Sequence, residues 1–359
     1  MTKNFVSKLY KGIICNIFFL VYGKVINSKY DSDKVIIQNI NKIENINVKN
    51  FNYKIFSIRN GRVFTNYVES LAVISEKKLV KEVSFQQIKG KLYKSKNQVI
   101  KTGTPKLLKK FSGKTLVLSQ GASGHFNYAH WLFDIIPKIK IISAKYEISD
   151  IDFFYFSKLT KFQKETFKLL KINPKKIIDA NKFRHIKASS VLAVTHPNYF
   201  NGTIFKAHSN LPTWIVVYLR KLFLKKVNKK FNYDNIYIDR SDSTQNHCKL
   251  VNNESVINFL KSKNFKILRL SDFSIFDQVS IFNNCKKIVA SHGAGLANIT
   301  FCKENTKVIE LIPQNHPSRT HRRISNINNL NYNLIYCKKI PNDKKGDMFI
   351  NLNILKKYI

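Results

Sequence analysis

Two apolar spacings alternate along most of this chain. Compact apolar runs of four to six residues fall at 115–119, 152–157, 176–179 and 190–194. Between them lie segments whose apolar residues recur every three or four positions, such as 161–170. The first spacing suits strands buried on both faces and the second suits amphipathic helices, so the pattern predicts a mainly parallel sheet flanked by helices. The run at 115–119 leads through Gln120, Gly121, Ala122, Ser123, Gly124 and His125, small enough for a tight turn, into a helix over about 127–145. Trp131, Ile135 and Ile139 mark that helix's apolar face, and Pro137 should kink it.

A second alternating unit follows Asn210. Pro212 can open a helix that continues to about Lys226. Then come a strand at 235–239, a helix at 253–263 capped by Asn253, and a strand at 265–270. A helix at 274–284 has Ser274 and Asp277 spaced like a capping box; strands at 287–290 and 307–312 enclose a short helix ending at Phe301. Residues 34–110 read as short strands and polar turns, for example 53–58 and 71–74. The expected organisation is a basic, apolar N-terminal segment (1–33), a first domain (34–210), a second domain (211–340) and a tail (341–359) ending in a helix that packs back across both domains.

Composition narrows the function classes. With 359 residues and 44% apolar content, the chain has material for two cores. Its 27 Phe and 16 Tyr and its regular periodicity exclude a disordered polyelectrolyte, and no repeat suggests a solenoid. The formal charge of +40 favours anionic partners, including nucleotides and acidic membrane surfaces. Lys, Asn and Ile are abundant throughout, so lysine is uninformative, whereas arginine is scarce enough to suggest planar recognition of phosphate or carboxylate where it occurs. The five cysteines form no C-x-x-C pair, which argues against a zinc set and for a reducing compartment. The run 13–22 is too short to cross a bilayer as a helix. It reads either as a terminal helix packed on the body or as a basic segment lying on an anionic membrane.

His292, Gly293, Ala294, Gly295 and Leu296 fall between a buried strand and a helix start, where backbone N–H groups can receive a phosphate. Neither the dinucleotide fingerprint nor a P-loop is present. Glu310 closes the next strand and could accept ribose hydroxyls; Arg240 follows another strand and could clamp a diphosphate. His130 and Asp134 lie four apart on one helix, hence on one face, where Asp134 could take an acceptor proton or orient His130. The same pair would serve equally as a buried hydrogen bond fixing that helix to the sheet. Asp150-Ile-Asp152 has a metal-binding form but precedes its strand rather than following it, and His316 and His321 lack a third ligand at a sensible spacing, so no metal is assigned.

These residues resemble the pattern of glycosyltransferase family 61: a strand ending in Arg240, an Asn253-Glu254 helix start, a Phe/Gln helix with Gln278, the run His292-Gly-Ala-Gly-Leu-Ala-Asn298, and a strand carrying Glu310. His130, Trp131 and Asp134 are similar to the family's N-terminal motif, and the resemblance spans about 115–315. Lys249 stands where many members have a second arginine. The resemblance implies an α/β fold of GT-B type, with two Rossmann-like domains facing across a cleft, and inverting, metal-independent transfer without a cofactor. It further implies a UDP-sugar donor bound around Arg240, Asn253, Glu254, His292 to Leu296, Asn298 and Glu310. The transferred group would be a hexosyl, N-acetylhexosaminyl or pentosyl unit and the acceptor a glycan or glycoconjugate, as in surface polysaccharide synthesis, with His130 and Asp134 catalytic. The expected location is cytoplasmic, peripheral on the inner membrane face. The charge alone suggests a nucleic-acid-binding protein, but the lysines are dispersed and no nucleic-acid motif is present. A noncatalytic nucleotide-sugar-binding relative is the remaining alternative.

Overall fold

The computed structural model describes residues 2–66, 70–88, 91–93, 96–119, 127–198, 203–242, 247–341 and 346–359, with the backbone alone for 2–10, 204 and 205. The turn expected at 120–125 lies outside these residues. The chain divides into two compact units, 1–204 and 205–359.

The N-terminal unit opens with a helix, α1 (Thr2–Tyr22), followed by strands β1 (Val35–Ile40), β2 (Tyr53–Arg59), β3 (Arg62–Thr65) and β4 (Ser70–Ser75). Next come β5 (Leu108–Val117), a helix α2 over 128–142, β6 (Phe153–Phe156), α3 (Lys161–Leu169), β7 (Ile177–Asp179) and β8 (His185–Val194). The strands β7, β6, β5 and β8 lie side by side in that order and are parallel. The chain therefore leaves β5 on one side and returns through β8 on the other. Such a reversal opens a crevice at the carboxyl ends of β5 and β8. The ten residues of β8 also take two successive antiparallel partners: 185–187 pair with β3 and 190–194 with β2. Residues 34–110 thus extend the same sheet.

The interior of α2 is set by a missing donor. Pro137 has no N–H to offer the Phe133 carbonyl four residues back. Instead, the turn from Trp131 to Ile135 widens to π geometry, and Phe133 O accepts from the Asn198 side chain at 3.0 Å. This widened turn is how the helix accommodates Pro137. Trp131 is fully buried, its indole N–H donating to Thr166 Oγ1 at 3.1 Å. Asp152, from the D-x-D sequence, accepts the Lys114 N–H at 2.7 Å and so ties the start of β6 to β5.

In the C-terminal unit, α4 (Thr213–Phe223) is followed by β9 (Asn235–Ile238), α5 (Asn253–Lys261), β10 (Lys266–Leu268), α6 (Ile275–Asn284) and β11 (Lys287–Ser291). Then come 3-10 turns at Ala294–Phe301, β12 (Lys307–Pro313), α7 (Thr320–Ile327), β13 (Asn331–Lys339), β14 (Met348–Phe349) and α8 (Leu352–Lys356). The sheet order is β10-β9-β11-β12-β13-β14, parallel except for β14. Tyr237, Val289, Ile309 and Ile335 form its buried core on one face. The order reverses between β9 and β11, so a second crevice is expected at their carboxyl ends.

Ser274 caps α6 as expected, accepting from the Asp277 N–H at 3.1 Å. Asn252, not Asn253, precedes α5, because the Asn253 side chain is drawn to Tyr237 and Asp239 instead. The tail is a strand plus the five-residue α8, not a helix from 349 to 359; Leu355 of α8 joins the core of this unit.

Candidate active site

The reversal in the C-terminal sheet brings Arg240, just past β9, against the turn after β11. Its Nη1 donates to the carbonyl of His292 and, at 3.2 Å, to that of His247. The guanidinium lies flat on Gly293: a Cβ built there would sit 2.5 Å from Arg240 Cζ. A side chain at 293 would have to push the guanidinium away, whereas the extended backbone there makes no demand for glycine. Behind Arg240, Asp239 accepts from Ser241 Oγ at 2.7 Å and from Asn253 Nδ2 at 3.0 Å, and Tyr237 O–H donates to Asn253 Oδ1 at 2.6 Å. Tyr237, Asp239, Arg240, His247, Asn253 and Ser291 line a cavity of about 140 Å³. That volume holds a phosphate or one ring of a larger ligand.

Beneath the turn lies a carboxylate with three donors. Glu310 Oε1 accepts from Nδ1 of His292 at 2.5 Å and from Nδ1 of His321 at 2.8 Å, while Oε2 accepts from the Tyr332 hydroxyl. Burial alone would raise the Glu310 carboxyl, but His321 and His292 together hold it well below the ordinary carboxylate range. Burial also pushes His292 down from its usual value, against the pull of Glu310. Burial and the adjacent His292 hold His316 at about 4; its ring centroid is 4.3 Å from that of His292. With Nδ1 of both imidazoles turned to Glu310, Nε2 is the nitrogen that each directs away from the carboxylate. The ligand atoms of His292, Glu310 and His321 all lie within 4.8 Å of one another, so the trio has donor types that suit a metal. As placed, their N–O separations are those of hydrogen bonds.

The structure therefore brings Arg240, Asn253, His292, Gly293 and Glu310 together around one turn. Ala294 and Gly295 are half-buried at the start of the 3-10 turns, where the first N–H groups have no partner within the helix. Leu296 and Asn298 are buried below, with Asn298 Nδ2 donating to Gln278 Oε1 and Gly295 O. Glu254 is exposed in the first turn of α5. Glu310 departs from its expected setting. Its strand runs on to Pro313, so it is an interior residue paired with Ala290 and Leu334, only 2% exposed. Its oxygens face protein donors rather than a ribose.

At the other reversal, in the N-terminal unit, the Asn127 side chain accepts the His130 N–H at 3.2 Å and starts α2. His130 Nδ1 lies 2.6 Å from Asp134 Oδ2, and Asn198 Nδ2 donates to Asp134 Oδ1 at 2.6 Å. Asp134 is buried, whereas the His130 side chain keeps 16% of its surface exposed. One turn further, Lys138 is fully buried, with Nζ 3.3 Å from the carbonyls of Leu118 and Ser119. Burial lowers its ammonium to about 7, partly opposed by Asp134.

This lysine has a measurable cost. An unfolded lysine takes its proton near pH 10.5, whereas the folded one resists until about pH 7, so stability falls as pH drops through that window. The penalty at neutral pH is on the order of 4 kcal/mol. Lys138→Met is expected to raise stability at pH 7 by about 1–4 kcal/mol, after the lost hydrogen bonds are subtracted. Urea unfolding should show the two proteins converging by pH 10.5; a variant less stable than wild type at pH 7 would contradict the burial argument.

The profile of the Glycosyltransferase 61 family matches residues 128–309. The chain belongs to glycosyltransferase family 61. The match covers just over half of the chain, beginning within the first turn of α2 and ending in β12, and so includes His130, Asp134, Arg240 and His292 to Asn298. No curated protein matches the chain. Family 61 membership supports glycosyltransferase activity with a donor and an acceptor substrate. Sequence reasoning missed Asn198, Lys138, His321 and Tyr332 as partners of these residues. His321 carried a signal, being one of two histidines flanking Arg319, but its link to Glu310 depends on how α7 folds back over β12.

Proposed function

We propose that this family 61 enzyme is an inverting glycosyltransferase of GT-B type, in which the C-terminal unit holds a UDP-sugar and the N-terminal unit holds a glycan or glycoconjugate acceptor. The transferred group is a hexosyl, N-acetylhexosaminyl or pentosyl unit, and the product belongs to a surface polysaccharide made at the cytoplasmic face of a membrane. The observation that carries the donor assignment is Arg240 lying on Gly293 at the sheet reversal. There a guanidinium and the N–H groups of Ala294 and Gly295 can neutralise a departing diphosphate without a metal. Asp239 and Asn253 hold the approach to Arg240, and Glu310, by accepting from His292 Nδ1, fixes the imidazole that precedes the turn.

On the acceptor side, His130 is the base. The Nδ1 proton is held by Asp134, so Nε2 takes the proton of the attacking hydroxyl, and Asn198 keeps Asp134 in place. The test is a panel of nucleotide sugars assayed for acceptor-independent hydrolysis and for transfer. Uridine sugars should be consumed, and His130→Ala should lower turnover by about 10²–10⁴-fold while UDP binds as tightly as to wild type. If His130→Ala turns over at the wild-type rate, the base assignment fails; if no nucleotide sugar is consumed, the enzymatic reading fails.

A further inference from the structure

The N-terminal unit carries a largely basic cavity that contains no residue assigned to the transfer reaction. The cavity, of about 770 Å³, is lined by Lys34, Arg59, Arg62, Lys77, Lys78 and Lys187 against one acidic residue, Glu76, together with Val21 and Tyr22 of α1; of the six cations Lys78 already pairs with Asp31 at 2.7 Å. Two of the chain's scarce arginines are here, where the general lysine bias offers no explanation. Arg62 is the telling residue: it is 7% exposed, and no carboxylate forms an ion pair with it among the described residues. Its hydrogen bond is from Nη2 to the Glu76 carbonyl at 2.7 Å. Burying a guanidinium without an anion is unfavourable, so a cavity that does so is built for an anionic ligand.

The helix bordering this cavity presents an apolar stripe to solvent. Its last turn is fixed to the unit: Tyr22 O–H accepts the Leu108 N–H at 3.1 Å, its ring meets His185 edge-on, and Phe19 packs on Gly103. On the outward side Ile13, Ile17, Leu20 and Val21 are exposed, Leu20 at 89%, and Leu107 beside the anchoring Leu108 is exposed at 82%. The spacing of 13, 17, 20 and 21 places all four on one helix face. Scattered exposed aliphatics are ordinary, but a stripe beside a basic cavity is not. Among the described residues no helix is long and apolar enough to cross a membrane.

We infer that this face binds an anionic phospholipid bilayer, the α1 stripe entering the interface and the cavity receiving a phosphate-bearing headgroup. An apolar stripe and a basic patch are the two signals that stable peripheral attachment needs, and neither suffices alone. The inference is independent of the sugar-transfer reading, because neither the stripe nor the cavity contains a residue assigned to donor or acceptor.

The test is flotation of the full chain with vesicles of phosphatidylcholine alone or containing about 30 mol % phosphatidylglycerol, at about 0.15 M salt. Binding to the anionic vesicles should be at least tenfold tighter. Ile17→Glu with Leu20→Glu, and separately Arg59→Glu with Lys77→Glu, should each weaken it tenfold or more without changing the thermal midpoint. Because the whole chain is basic, Lys261→Glu with Lys263→Glu serves as the control and should bind like wild type. Equal binding to both vesicle types, no binding at all, or equal losses in the control and the patch variants would overturn the inference. Saturable binding of inorganic phosphate that depends on Arg59, without vesicle binding, would show a free-anion site and overturn it as well.

Discussion

Arg240→Ala is expected to lower kcat/KM for the sugar donor by about 10²–10³-fold, which is about 2.7–4 kcal/mol of transition-state stabilisation. On the proposed donor assignment most of the loss should fall on kcat, because the guanidinium would then act chiefly on charge that develops on the departing diphosphate. The side chain lies against Gly293 and donates to the His292 carbonyl, so its removal also loosens the turn that presents the amides. Arg240→Lys keeps the charge but not the planar fit on Gly293, and should recover only part of the activity. Gly293→Ala approaches the same contact from the other side. A methyl group 2.5 Å from Arg240 Cζ must displace the guanidinium, so this variant should resemble Arg240→Ala in donor kinetics. A loss with Arg240→Ala that is confined to stability, with kcat/KM unchanged in the folded fraction, would remove Arg240 from the donor site.

Glu310→Ala is expected to destabilise the C-terminal unit by about 3–5 kcal/mol, since it leaves three buried donors without their common acceptor. That corresponds to a fall of roughly 8–16 °C in the thermal midpoint. Glu310→Gln fills the same space and separates charge from shape. One amide oxygen remains to accept, but the amide NH₂ confronts at least one of the donors His292, His321 and Tyr332. The pH dependence follows from the depressed carboxyl. Its contribution is fully present above the ordinary value of 4.5 and is lost as pH falls below it. The stability gap between wild type and Glu310→Gln should therefore be widest at neutral pH and narrow below pH 4.5. A constant gap from pH 7 to pH 3 would mean that the carboxylate charge contributes nothing.

What the amino-acid pattern revealed was local. The parallel strands and the helices between them could be read because each shows its own periodicity and caps, as Ser274 does with Asp277. Arg240, His292 and Gly293 could be placed together because each follows a strand, and ligands gather at strand ends in such sheets. The joining of residues 34–110 to β8 was not legible, because antiparallel pairing over more than a hundred residues leaves no local mark. Nor were the partners Asn198, His321 and Tyr332, whose contacts cross 64, 11 and 22 residues. Glu310 shows how a local reading goes astray: its place near a strand's end carries no sign of the three donors, His292, His321 and Tyr332, that the fold closes over its carboxylate. The widened turn in α2 was half legible. Pro137 predicted a disturbance, but its form depended on Asn198 reaching the Phe133 carbonyl.

On the proposed reading the turn at His292–Gly293, clamped by Arg240, receives the diphosphate of a nucleotide sugar. Isothermal titration of UDP into the wild-type chain and into Arg240→Ala is the decisive experiment. Saturable one-site binding to wild type, weakened tenfold or more in a variant that unfolds at the wild-type midpoint, is the predicted result. UDP that binds both proteins with equal affinity, or neither, would contradict it.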